Sequence, residues 1–157
     1  MQENQQNTGR ELAVALAKLS LEKKAENIVL INLEEVEHAV CNYFLICTCN
    51  SAHHLASLVS ELSREGKNLN EGRILPEGMD AKEWAVLDYF NVVVHVMLLE
   101  TRSYYKIEKL WADYKLEVLN EEGNFVETDI KEIQKSYVEF DRELFNGIDY
   151  GIDDAVM

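Results

Sequence analysis

The run Glu83-Trp84-Ala85-Val86-Leu87-Asp88-Tyr89-Phe90-Asn91-Val92-Val93-Val94-His95-Val96-Met97 decides how this chain folds. It reads as two short strands of alternating and β-branched residues around a tight turn. If Phe90-Asn91 is a two-residue turn, Tyr89 faces Val92, Asp88 faces Val93 and Trp84 faces Met97. Side chains alternate along a strand, so Trp84, Val86, Asp88, Val93, His95 and Met97 then share one sheet face. A bland core hairpin would carry aliphatics where this one carries Trp, Asp and His.

Outward from the hairpin, Ile28 to Leu33 and Tyr43 to Thr48 are nearly continuous apolar runs, the signature of strands covered on both faces. Thr8-Gly9-Arg10-Glu11 fits a capping box, and Leu12, Ala15, Leu16 and Leu19 follow at helical spacing. Ser51 caps a second helix with the stripe Leu55, Leu58, Val59 and Leu62, and Gly66 lies near its end. Residues 70–80 hold Gly72, Gly78 and the single proline, Pro76, and read as a loop with a short strand around Ile74. Ile107, Leu110, Trp111 and Tyr114 predict a third helix. This order gives an α/β (α+β) fold with helices on a mixed β-sheet.

The organisation expected is a disordered stretch over 1–9, one domain over 10–119, and an acidic extension over 120–157. In that extension Ile130, Ile133, Tyr137, Phe140 and Leu144 repeat at helical spacing behind Thr128 and Asp129. The stripe is too short for an independent coiled coil and needs a surface. That surface is its own domain, a second copy in a homodimer, or a foreign partner.

The net charge is -14, and residues 120–157 hold 11 acidic against 3 basic side chains. No cluster of Lys and Arg offers autonomous grip on a phosphate backbone, so direct nucleic-acid binding is not expected. A basic protein surface is the natural counterpart. No stretch is apolar enough for a membrane helix, and the polar start shows no secretory signal. The odd cysteine count (Cys41, Cys47, Cys49) argues against a disulfide framework and fits a reducing cytoplasm.

Three chemistries are testable from the residues. Asp88 and His95 become diagonal neighbours in the hairpin register, as a catalytic dyad, a structural pair, or a polar rim around Trp84 at a binding surface. No Ser or Cys is placed as their nucleophile. Cys47-Thr48-Cys49 with His53-His54 could offer metal ligands, but the second ligand pair of a zinc site is missing and apolar strand thiols are commoner. Nucleotide transfer would need strand carboxylates and a phosphate loop. Glu35-Val36-Glu37 is the only upstream acidic pair, and neither a Gly-Ser dipeptide nor a GxGxxG or Walker motif occurs. No metal or cofactor is expected.

The residues Ala25-Glu26-Asn27-Ile28-Val29, Tyr43 to Thr48, Ser51 to His54, Trp84 to Met97, Arg102-Ser103-Tyr104-Tyr105 and Leu110-Trp111, in this order, resemble the ribosomal silencing factor (Iojap-like) family. The likeness spans about residues 10 to 115. It implies a nucleotidyltransferase-like fold without that enzyme's active site, and no catalysis. It further implies binding to the large ribosomal subunit through its fourteenth protein, sterically blocking the small subunit and repressing translation. Trp84, Asp88, Tyr89, His95 and Tyr104 are the matching positions expected to make contact. The chain departs from the family at Asn42, at Phe90-Asn91 in the turn, at Cys49, and in its acidic tail.

Overall fold

The computed structural model describes residues 3–69 and 71–135. Helix α1 (Glu3–Glu22) is followed by strands β1 (Glu26–Asn32) and β2 (Tyr43–Cys49), helix α2 (Ala52–Asn68), and the hairpin β3 (Trp84–Asp88) and β4 (Val92–Leu98). Then come α3 (Leu99–Tyr105), a 3-10 turn over Ile107–Trp111, β5 (Lys115–Leu119) and β6 (Phe125–Thr128). The strands form one mixed sheet in the order β3-β4-β2-β1-β5-β6. Among the described strands only β2 and β4 run parallel, with α2 and β3 between them in the chain. The mixed α/β architecture is therefore the one expected.

The hairpin register agrees residue for residue: Trp84 pairs with Met97, Val86 with His95 and Asp88 with Val93. The turn closes through the amide of Tyr89 to the carbonyl of Val92, and that of Asn91 to the carbonyl of Tyr89. The second bond spans a γ-turn centred on Phe90, whose φ is 75°.

Alternation splits the sheet into two faces. Ile28, Leu30, Leu45, Cys47, Ala85, Leu87, Val94 and Val96 meet α1 and α2 in the larger core. Val29, Ile31, Ile46, Met97 and Leu116 build a smaller core on the other side. Ser51 caps α2 by accepting from the amide of His54, and Leu55, Leu58, Val59 and Leu62 are its buried stripe. A cap of this kind contributes about 1 kcal/mol. Helix α1 ends with Lys24 in the left-handed region, its amide bonding Leu21 and that of Ala25 bonding Ser20, a Schellman closure.

Several expectations need correction. Helix α1 starts at Glu3, so Thr8 stands within it rather than at its start, and residues 3–9 are helical. The third helix is two pieces. Lys106, at φ 47°, breaks it, so Ile107 and Trp111 reach the smaller core while Leu110 is 76% exposed. No strand forms at Ile74. Instead an isolated bridge joins Glu77 to Val86. The sheet also runs past residue 119, through a turn at Asn120–Asn124 into β6.

A helix begins at residue 130, where Asp129 accepts the amide of Glu132. Its Ile130 and Ile133 pack on the smaller core, with Ile133 only 3% exposed. The first turn of this stripe therefore docks on its own domain. Tyr137, Phe140 and Leu144 lie outside the described residues.

Candidate functional site

The side of the sheet opposite α1 and α2 carries a continuous run of rings. Phe44 on β2 pairs in register with Val93, on the face shared with His95 and Trp84. Phe44 meets His95 edge-on at 5.3 Å between centroids and Trp111 at 5.6 Å, and Trp111 meets Tyr114 at 5.8 Å. In the other direction His95 lies 5.9 Å from Trp84, Trp84 5.0 Å from Tyr105, and Tyr105 5.0 Å from Tyr104. Such tilted and edge-to-face contacts suit the ring quadrupoles. The centre of the run is half-buried, while Tyr104, Tyr105, Leu110 and Tyr114 are exposed at its ends.

The imidazole of His95 is fixed within this run. Its Nδ1 accepts the indole N–H of Trp84 at 3.0 Å, so the neutral ring carries its proton on Nε2. Burial lowers its pKa to about 4, opposed by Glu108 and reinforced by Arg102. At neutral pH His95 is thus an uncharged acceptor that holds the tryptophan plane.

The strip rests on a buried ion pair. Arg102, from α3, donates through Nε to Glu108 at 2.6 Å and through Nη1 to Thr48 at 2.8 Å and to the Asn27 carbonyl. Both charged residues are fully buried. The pair fixes α3 and the 3-10 turn, which carry Tyr104, Tyr105 and Trp111, against β1 and β2.

Of the five positions expected to make contact, Trp84, His95 and Tyr104 belong to the strip. Asp88 is exposed, but its carboxylate accepts the amide of Phe90 at 2.8 Å and shapes the turn. His95 bonds to Trp84 instead, so the Asp88-His95 dyad does not form. Tyr89 is corrected outright. It faces the helices, is 1% exposed, and donates its hydroxyl to the Leu62 carbonyl, so it cannot touch a partner. Phe44, Tyr105 and Trp111 were missed as surface formers. Phe44 was hidden inside an apolar run whose alternation only strand pairing reveals.

The cysteine cluster is a core feature. Cys41, Cys47 and Cys49 are buried. Burial pushes the Cys41 thiol up to about 11 and that of Cys47 to about 12, away from the thiolate that binds metals. His54 is tied to the Asn50 amide and the Lys23 carbonyl. Among the described residues no three His, Cys, Asp or Glu converge as metal ligands. No described helix is long and apolar enough to cross a membrane.

Comparison with known proteins gives consistent results. The profile of a family described as "Ribosomal silencing factor during starvation" matches residues 6–142. The ribosomal silencing factor RsfS of Bacillus subtilis is 36% identical over 95 residues, covering 60% of this chain and 80% of that protein. A mouse protein named "Mitochondrial assembly of ribosomal large subunit protein 1" is 34% identical over 99 residues, 61% of this chain and 43% of its own. A crystal structure of a Chromobacterium violaceum protein superposes with a TM-score of 0.60 at 26% identity, covering 65% of this chain and 84% of that one.

Proposed function

The chain belongs to the ribosomal silencing factor family, and from that premise we propose that it is a cytoplasmic, non-enzymatic repressor that binds the large ribosomal subunit and blocks subunit joining. The aromatic strip from Tyr104 through Trp84, His95 and Phe44 to Tyr114 is the observation that carries this reading. Binding hot spots favour large rigid rings, which bury much area at little rotamer cost. Exposed Glu83, Asp88, Glu100 and Asp113 sit on or beside the elements that hold the strip. With a net charge of -14, they suit a basic protein face better than bare RNA.

The partner proposed is the fourteenth protein of the large subunit, at the face where the small subunit docks. Occupying that face excludes the small subunit by volume alone, and no bond needs to be made or broken. The catalytic alternative has less support, because Asp88 and His95 have different partners. The silencing core is proposed to include the β5–β6 hairpin and the docked start of the last helix, with the acidic extension beyond it.

Replacement of the indole tests the reading. Trp84→Ala is expected to weaken binding to isolated large subunits by 2 kcal/mol or more, roughly thirtyfold, as for a hot-spot residue. The far-UV spectrum should be unchanged. Binding unaltered in Trp84→Ala would remove the strip as the contact surface.

A further inference from the structure

The opposite side of the molecule holds a cleft that the silencing role does not use. It is an open cleft between α2 and the 72–80 loop of about 450 Å³, a volume within the range of small-ligand sites. Its lining combines the apolar Val59, Pro76 and Met79 with the cationic Arg64, Lys67 and Arg73. None of its lining residues is acidic, although acidic residues outnumber basic ones 29 to 15 in the chain.

The cleft is built rather than incidental. Gly66 lets the loop approach α2, since a Cβ there would lie 2.2 Å from the Gly72 carbonyl oxygen. The Glu71 amide bonds the Gly66 carbonyl at 2.7 Å, and the Ser63 hydroxyl bonds the Ile74 carbonyl. At its far end the loop is bridged to β3 through Glu77 and Val86. Arg73 is thereby held opposite the Arg64-Lys67 turn of α2. Arg64 is bonded to Glu61, an exposed pair that opens at little cost. Lys67 and Arg73 have no acidic partner among the described residues.

We propose that this cleft binds a nucleoside polyphosphate, with its phosphates on Lys67, Arg73 and Arg64 and its base on Val59, Pro76 and Met79. Guanidinium and ammonium groups recognise phosphate oxygens by charge-assisted bonds. The apolar wall beside them suits a flat ring. A long polyanion is disfavoured here, because it would have to approach a body of charge -14, whereas a compact ligand touches only the lining, which holds no carboxylate.

Calorimetric titration of the full chain with ATP, ADP, AMP and inorganic tripolyphosphate tests the assignment. The expected result is one ATP per chain, an affinity rising from AMP to ATP, and tripolyphosphate weaker than ATP. Arg73→Ala and Lys67→Ala should each weaken ATP by about tenfold, as loss of one charge-assisted bond does. Gly66→Ala, which displaces the loop, should weaken it as well while leaving large-subunit binding intact. No ATP binding at millimolar concentration would overturn the proposal. ATP binding that ignores Arg73→Ala and Lys67→Ala would overturn the site. Tripolyphosphate binding as tightly as ATP would overturn the role of the base. Binding of a single-stranded RNA oligonucleotide that is weakened by Arg73→Ala and Lys67→Ala, with no binding of ATP, would overturn the proposal and assign the cleft to nucleic acid instead.

Discussion

His95 shows how burial converts a titratable side chain into scaffold. Its folded pKa of about 4 lies below the ordinary 6.5, so the unfolded chain binds the extra proton between these values. The stability it contributes is present above about pH 6.5 and is lost as pH falls toward 4. The shift corresponds to at most about 3 kcal/mol. His95→Gln, which keeps an acceptor for Trp84, should therefore flatten the fall in melting temperature between pH 7 and pH 5. An unchanged slope would show that His95 does not carry it. Phe90 makes a second residue-scale case. A bulky residue at φ 75° is costly, so Phe90→Gly should stabilise the fold by about 1 kcal/mol in urea unfolding. A loss of stability would mean that the exposed ring has a packing role.

At the scale of elements, the buried Arg102–Glu108 pair holds α3 and the 3-10 turn beneath the strip. Removing one partner leaves the other charge buried, so Arg102→Met should cost about 3–5 kcal/mol in chemical denaturation. The double change with Glu108→Leu should recover much of that. If the double variant is no more stable than the single, the charge is not the cause.

Elements differ in how legible they were in the sequence. The β3–β4 register could be read because turn length and alternation fix it together. The strand runs at Ile28 and Tyr43, and the Ser51 cap with its stripe, could be read for similar local reasons. The third helix was misread because Ile107, Leu110, Trp111 and Tyr114 keep helical spacing although they follow the break at Lys106, after which the chain winds only into a 3-10 turn, and a left-handed lysine carries no sequence signal. β5 and β6 went unread because their charged residues mask the alternation. Within the site, Trp84 and His95 stood out as odd residues on a strand. Tyr89 misled because it came with the resemblance, although the hairpin register already sets it on the face opposite Trp84. Phe44 and the Arg102–Glu108 pair depend on contacts distant in sequence, which periodicity cannot show.

On the scale of the whole molecule, the two sides of the sheet differ in what covers them. One is sealed by α1 and α2, with the cationic cleft at its outer edge. The other is left to rings, closed at one end by Ile130 and Ile133 from the last described helix. Because Ile133 is buried in its own domain, deletion from Asp129 onward should lower the melting temperature without changing the number of chains per particle in solution. A change from two chains per particle to one on truncation would instead show that the extension joins two copies.

The aromatic face is proposed to grip the large ribosomal subunit. Co-sedimentation of the purified chain with isolated large and small subunits, at low and high salt, tests it most directly. Pelleting with large subunits alone, weaker at high salt and lost in Trp84→Ala, is the predicted result. Absence from the large-subunit pellet at low salt, or equal pelleting with both subunits, would contradict it.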